Sequence, residues 1–470
     1  MSDHVDLIII GAGPAGMSAA IAASRQGLSI VVLDEQARPG GQIWRNVEQR
    51  RDGALSTVLG RDYAAGAELV DRFRACPADY RAEASVWHID EGQGTGGGKV
   101  FYLKDHQARV LEGRCILLAT GAQERPPAFP GWTLPGVMGI GAAQVTLKSG
   151  GQIPDGPVWI AGCGPLAYLY AMQLRRAGGT IAGFLDTTPP GRLLPNFFAF
   201  LQAMLFQPAP MLKGVAWQLA LRCTVPWVPH VAALTADGGD RLKTLTYTTT
   251  GGKPVTVEAA HLLVHEGIVP GTHPTLMLGC EQAWSDAQDC FAPKLDEWGE
   301  TSLPGIFVAG DAGGIAGAQA ARLRGELAAV AIMRRLKPSA VAERDAVKRL
   351  RSRLSRIIAG RAFLDRYFRP REAACLPPDD TVICRCEGVT AAQIRALTTN
   401  GLGDPNMVKA FTRAGMGPCQ GRQCGYGVAR LTAEITGTHA ATVGLYRARP
   451  PLKPITLGEL AVLDKQRTEA

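Results

Sequence analysis

Four cysteines near the C-terminal end of this 470-residue chain fall into two tight clusters, Cys384 and Cys386 in "VICRCEGVT" and Cys419 and Cys424 in "GPCQGRQCG". The pattern is CxC, a gap of 32 residues, then Cx4C. A disulfide inside CxC is strained against the Cα separation and torsion that an S–S bond prefers. Four thiolates in two short-spaced clusters suit tetrahedral zinc or a [2Fe–2S] cluster, and spacing alone does not choose between them. The segment between the clusters reads as short helices, with the second pair at a helix N-terminus where backbone N–H groups stabilise anionic sulfur. Cys375 lies outside the spacing and reads as a spectator. Cys76, Cys115, Cys163, Cys223, Cys280 and Cys290 are isolated, as small buried residues are, and no CxxC redox pair is present.

A second constellation opens the chain. "VDLIIIGAGPAGMSAAIAASRQGLSIVVLDEQ" is a buried-type strand, a glycine turn, a helix of small residues and a second strand ending in acid. That is the βαβ context a dinucleotide fingerprint requires. Gly11 makes the tight turn, Gly13 admits a pyrophosphate, and Gly16 lets helix pack on strand. Pro14 and Ala15 open the helix whose N-terminus faces the phosphates. Asp34 lies 23 residues after Gly11, where a carboxylate takes ribose hydroxyls, with Glu35 able to share the role. "GPVWIAGCGPLAYLYAMQLRRAGGTIAGFLD" repeats the pattern with Gly162, Gly164 and Asp186, Ala167 standing at the third glycine. Alanine is allowed there, and without a basic residue directly after Asp186 the turn favours NAD or an adenine nucleotide such as ATP over NADP. A structural insert is the competing reading.

These elements imply a large α/β protein. The chain is 46% hydrophobic and 20% charged, enough for two to three domains, and its 56 glycines cluster at turns rather than in a low-complexity tract. The net charge of +8 is local: Ala331 to Arg371 holds 13 Lys/Arg against 3 Asp/Glu, with Leu350, Leu354, Ile357, Leu364 and Phe368 at near-helical spacing. A docked helix with a solvated basic face explains that excess, so no nucleic-acid partner is expected. "NFFAFLQAMLF" from Asn196 is cut by Pro208 and Pro210, well short of the roughly 20 residues of a membrane span. With no leader-like N-terminus and an odd 11 cysteines, the expectation is a cytoplasmic protein, at most peripheral to the inner membrane.

Three further segments carry a resemblance. "RPGGQIWR", "ILLATGAQERPP" and "GIFVAGDAGG" resemble, in order and position, those that surround FAD in the two-dinucleotide-binding flavoproteins of the glutathione reductase and thioredoxin reductase type. The resemblance implies FAD and adds Gly41, Gln42, Thr120, Gly121 and Asp311 to its site, with Val86 on the strand that meets the adenine. The C-terminal pattern resembles the bacterioferritin-associated ferredoxin type of [2Fe–2S] domain, which would make Cys384, Cys386, Cys419 and Cys424 its ligands.

Taken over nearly its whole length, the chain resembles the flavin-bearing α-subunits of hetero-oligomeric bacterial amino-acid dehydrogenases. That group holds the A-subunit of opine oxidase, the α-subunits of D-hydroxyproline dehydrogenase and dye-linked proline dehydrogenase, and the B-subunit of hydrogen cyanide synthase. "LLATGAQERPPAFPGWTLPGVMG", "LLVHEGIVPGTHPTLMLGCE" and "TRAGMGPCQGRQCG" are among the segments that carry it. The fold implied is two Rossmann-type domains, FAD-binding at 1–150 and 256–335 with an NAD-like insert at 151–255. A basic helical linker (336–375), a small helical cluster domain (376–440) and a tail (441–470) follow. The resemblance also implies a β-subunit resembling D-amino-acid oxidase that holds the substrate, a small ferredoxin-like third chain, FMN at an interface within the complex, and a quinone or dye as acceptor. No catalytic acid or base is assigned here; His265 and Glu266 follow a strand and are expected to contact cofactor or partner. The competing function is a self-contained NAD(P)H-dependent reductase feeding its own cluster, and a scaffold with structural cofactors is the non-enzymatic alternative.

Overall fold

The computed structural model describes residues 3–92, 96–338 and 344–468; residues 339–343 of the basic linker and 469–470 of the tail lie outside them. The expected α/β architecture with two Rossmann-type sheets and a small C-terminal domain is present.

The first sheet has seven strands. Ile30–Leu33, Asp3–Ile10, Gln107–Leu118 and Ile306–Val308 run parallel at its centre, Asp79–Arg81 closes one edge, and Gly98–Lys104 and Ser85–Glu91 add antiparallel strands at the other. Ile10 pairs with Leu33 and with Leu118, and Leu118 pairs with Val308. Gly11, Ala119 and Ala309 therefore leave the sheet at one end, the carboxyl edge where doubly wound sheets bind ligands. The central strands bury both faces, Leu7, Ile8 and Ile9 being fully buried, each stabilising the fold by about 1.5–3 kcal/mol. Helix Pro14–Ser24 is buried almost all round and is crossed by helix Ala318–Leu336 so closely that a Cβ on Gly325 would lie 2.2 Å from the Ala15 carbonyl oxygen.

The second sheet has five parallel strands in the order Trp227–Val228, Ile181–Asp186, Val158–Gly162, His261–His265, Val137–Gly139. This corrects the expected division at 151 and 255: Val137–Gly139 and His261–His265 hydrogen-bond into the inserted sheet, so its edges reach outside that span. A three-stranded antiparallel sheet, Val231–Asp237, Thr244–Thr249 and Val255–Glu258, packs Leu234, Ala236 and Leu245 against Leu185, Leu262 and Val264.

Helix Arg344–Tyr367 lies within the span expected as a basic linker and leads to the C-terminal domain. That domain holds helices Ala391–Thr399, Pro405–Thr412 and Gly425–Thr436, and a hairpin of Val382–Cys384 with Val389–Thr390 that its helical reading did not anticipate. Its core includes Tyr446, so the first part of the expected tail is structurally part of this domain.

Candidate functional site

The first glycine turn is assembled by backbone contacts that only glycine permits. Gly11 has φ +106°, and a Cβ there would lie 2.5 Å from the Ala119 carbonyl oxygen. Gly41, at φ +59°, crosses Gly13 with its own Cβ position 2.9 Å from the Gly13 Cα. Gly310 touches Ala15, and Gly271 N–H donates to the Gly121 carbonyl at 2.9 Å. The structure thus brings Gly11, Gly13, Gly41, Thr120, Gly121 and the loop of Asp311 to one end of the sheet. Space remains on the outer side. A Cβ at Gly13 would meet only Gly41 at 3.8 Å and one at Gly121 nothing within 4 Å, so these residues fit a dinucleotide cradle.

The two acids at the second strand's end differ in what holds them. Asp34 is buried and accepts from the Ala12 and Gln36 N–H groups; burial pushes its carboxyl up while those two bonds oppose the shift. Glu35 is exposed and pairs with Lys453. Asp311 Oδ1 accepts from Ala316 and Gly317 N–H at 2.8 and 3.0 Å, bracing the start of helix Ala318–Leu336. Val86 is buried on its strand, and the next residue's carbonyl, Trp87 O, accepts from Leu452 N–H. Gln42 Oε1 accepts from Arg45, while the Gln42 carbonyl accepts from Lys148 Nζ at 3.0 Å. Lys148 is buried, with no carboxylate partner among the described residues, and burial holds its ammonium down at about 7. Nothing in the sequence marks that lysine, which belongs to a helix of the inserted sheet.

The second glycine turn is covered. Gly162 packs on the His265 backbone, and Gly164, φ +95°, is buried with Phe368 3.8 Å from its Cβ position. Phe368 stands edge-on to Tyr168 and Tyr367, ring centroids 6.0 and 4.8 Å away. Arg192 pins the covering segment by donating to the carbonyls of Tyr367, Arg369 and Pro370. Asp186 is buried, accepting from Thr188 N–H at 3.0 Å, and burial pushes its carboxyl up. Sequence periodicity put Phe368 on a helix face; that it lands on Gly164 is a tertiary fact.

His265 and Glu266 are structural ties. His265 Nδ1 lies 2.6 Å from Glu124 Oε1, whose partner oxygen accepts from Gly141 N–H at 2.9 Å. Glu266 forms a buried ion pair with Arg371 at 2.8 Å, which anchors the chain just after Phe368.

The four cysteines come together in two pairs: Cys384 against Cys424, and Cys386 against Cys419. A thiol hydrogen bond from Cys424, opposed by burial and aided by the N–H groups of Gly415, Glu387 and Cys386, lowers Cys384 to about 6. Cys424 is pushed the other way by the same bond and by burial. Gly417 has no room for a Cβ, which would lie 2.2 Å from that of Cys386. Among the described residues no three or more His, Cys, Asp or Glu converge as ligands of a single ion. Two sulfur pairs are the donor set a two-iron cluster takes, one pair on each iron.

This domain is seated on the first one by polar contacts. Gln123 Nε2 donates to Arg422 O at 2.7 Å, His273 Nε2 to Gln420 O at 2.9 Å and Trp132 Nε1 to Val382 O at 2.6 Å. Buried Asp289 pairs with Arg369 and Arg430 at 3.1 and 3.3 Å and with Arg125 at 3.7 Å; burial raises its carboxyl, and the three guanidinium groups together hold it below the usual range. The loop between Cys419 and Cys424 therefore rests on the segment that begins at Thr120 and Gly121.

Comparison with known proteins accords with this architecture. Residues 5–332 match the pyridine nucleotide-disulphide oxidoreductase family, and residues 380–463 match the sarcosine oxidase A3 domain. The chain is 41% identical to the opine oxidase A-subunit of Agrobacterium tumefaciens (strain Ach5) across 98% of its own length and 92% of that protein's. It is 36% identical to the hydrogen cyanide synthase component HcnB of Pseudomonas aeruginosa, covering 95% and 96% of the two chains. Among solved structures, L-proline dehydrogenase from P. horikoshii shares the fold with a TM-score of 0.71 at 20% identity, over 98% of this chain and 80% of that one. Thioredoxin reductase of T. acidophilum covers 70% of this chain and 98% of its own at a TM-score of 0.51 and 18% identity. By the family match over residues 5–332 and the 41% identity over 98% of its length, the chain belongs to the pyridine nucleotide-disulphide oxidoreductase family and, within it, to the group of the opine oxidase A-subunit.

Proposed function

We propose that the protein is the FAD- and [2Fe–2S]-bearing component of a heteromeric dehydrogenase that oxidises a secondary or N-substituted amino acid, of the opine, hydroxyproline or proline type, on a partner chain. The observation that carries this reading is the seating of the Cys419–Cys424 loop, through Arg422 and Gln420, on Gln123 and His273 beside the first cradle. FAD accepts an electron pair and releases single electrons, and a [2Fe–2S] cluster carries one at a time. The chain's own residues supply the housing: Gly11, Gly13 and Gly16 with Pro14 and Ala15 for the pyrophosphate, Asp34 and Glu35 for the ribose end, Val86 for the adenine, and Gly41, Gln42, Thr120, Gly121 and Asp311 for the remainder. Cys384, Cys386, Cys419 and Cys424 hold the cluster.

The partner in this reading is a β-subunit resembling D-amino-acid oxidase, with FMN between the two chains, a small ferredoxin-like third chain, and a quinone or dye as final acceptor. His265 meets Glu124, and one oxygen of Glu266 meets Arg371, inside the chain itself. A self-contained NADH-fed reductase needs a nucleotide at Gly162, Gly164 and Asp186, and Phe368 stands where its phosphates would approach. The test is an anaerobic absorption and low-temperature EPR spectrum of the co-expressed complex before and after amino-acid substrate. Flavin bleaching with a [2Fe–2S] signal is expected; bleaching by NADH in the isolated chain overturns the reading.

A further inference from the structure

The inserted domain carries an apolar helical ridge that its own fold leaves uncovered. Helices Phe197–Phe206 and Pro208–Thr224 meet at Gln207; the first buries only Ala199 and Ala203, the second only Met211 and Leu221. Leu194, Phe198, Leu201 and Leu205 recur at helical spacing, with Leu194 and Phe198 84% and Leu205 75% exposed. Exposed Leu212 and Leu219 continue the ridge on the second helix. Contiguous apolar surface of this kind marks a site of interaction.

Charge decides what the ridge meets. No Asp or Glu occurs between Asp186 and Asp237, whereas Arg192, Lys213 and Arg222 do. Helix Arg344–Tyr367 packs Phe363 on Phe200, ring centroids 5.2 Å apart, and brings Gly360 onto Gln207 where the two ridge helices join. Within two turns of Gly360 stand exposed Arg356 and Arg353, neither in an ion pair among the described residues, with Ile358 exposed beside them. Lys213 is paired with Asp62 and Arg192 with the linker carbonyls, so the cations left without an ion pair beside the bare Leu and Phe, among the described residues, include Arg353 and Arg356. That composition is the one of helices lying in the headgroup plane of a bilayer, whose basic residues meet anionic lipid. No described helix is long and apolar enough to cross a membrane, so the ridge lies on the surface.

We propose that the hairpin from Leu194 to Leu219 is a monotopic anchor for an anionic bilayer, with Leu194, Phe198 and Leu205 entering the headgroup–acyl boundary and Arg353 and Arg356 meeting lipid phosphates. The inference stands apart from the electron-relay reading, because vesicle binding and cofactor spectra are measured independently. Flotation of the purified full chain with vesicles of phosphatidylcholine, with and without phosphatidylglycerol, tests it. Wild type is expected to float with the anionic vesicles and at least about tenfold more weakly with phosphatidylcholine alone. Phe198→Ser with Leu205→Ser lowers that binding at least about tenfold, and Arg353→Glu with Arg356→Glu removes the preference for phosphatidylglycerol, circular dichroism and flavin content being unchanged in both. Failure of wild type to bind any vesicle overturns the proposal, as does undiminished binding by the Phe198/Leu205 variant. Dissociation of a co-purified partner chain from that variant, without vesicle binding by wild type, would make the ridge an interface within the complex instead. Loss of a wild-type dimer under the same conditions would assign it to a second copy.

Discussion

Gly13 and Gly164 occupy the same place in two copies of one fingerprint, yet the turns around them are built differently. In the first, Gly11 takes the left-handed conformation and Gly13 is extended, φ −79° and ψ −173°, with open space before it. In the second, Gly164 itself has φ +95° and ψ 171°, and Phe368 closes over it. The first turn is enclosed by chain segments that stop short of the phosphate position, the second by a linker held on Arg192 and Arg371. A glycine fingerprint therefore specifies that backbone comes close to something. Whether that something is a ligand or the chain's own side chain is decided by residues far along the sequence, as the pairing of Cys163 with the Phe368 carbonyl shows at a separation of 205.

The cover on the second turn is broken most severely through its anchor. Glu266→Ala leaves Arg371 buried without its carboxylate, and breaking a buried pair in this way costs about 3–5 kcal/mol. Chemical denaturation reads that loss. A change below about 1 kcal/mol would mean that the linker is held by other contacts and that the contrast between the turns is shallow. The first turn is probed by Gly13→Val. Its φ is ordinary and there is room for a Cβ, so the fold survives while side-chain atoms fill the phosphate approach. FAD affinity is expected to fall about a hundredfold, equivalent to about 2.7 kcal/mol, measured by flavin fluorescence on reconstitution. Undiminished flavin content would remove the cradle from this turn.

Gly164→Ala gives the matched measurement. The conformation at Gly164 is one only glycine adopts readily, and placing alanine there costs about 1–3 kcal/mol of backbone strain. Stability should drop by that amount with flavin content unchanged and with no shift of melting temperature by millimolar NADH in either protein. A melting temperature raised by NADH in wild type would show that Phe368 moves aside.

Much of the first site was legible because its chemistry is written locally. Gly11, Gly16 and Asp34 sit in one continuous βαβ run, and the cluster cysteines sit in two short motifs, so pattern and spacing suffice to bring them forward. The inserted sheet's boundaries were less legible, since Val137–Gly139 and His261–His265 are ordinary apolar strands whose allegiance is set by pairing across the domain crossing. Phe368 over Gly164, Lys148 beneath Gln42 and Lys453 beside Glu35 were invisible for the same reason: each joins segments more than 100 residues apart, and no local pattern encodes the contact. For His265 and Glu266, expected from their place after a strand to contact cofactor or partner, the intrachain partners Glu124 and Arg371 were equally invisible, since each is more than 100 residues away.

The smallest expected effect lies on the first turn's side, where Gly271 touches Gly121 and His273 follows. Burial lowers His273 from 6.5 to about 4 and outweighs its bond to the Gln420 carbonyl. The folded chain thus keeps this imidazole neutral where the unfolded chain protonates it. Stability is complete above the unfolded pKa and is lost as pH falls through the window between about 6.5 and 4. From pH 7 to 5.5 that loss is about 1 kcal/mol. His273→Gln retains a donor for Gln420 and should flatten this slope in urea titrations run across the same pH values. A wild-type profile that His273→Gln leaves steep would place the titrating group elsewhere and take the pH sensitivity away from the seam between the cradle and the cysteine domain.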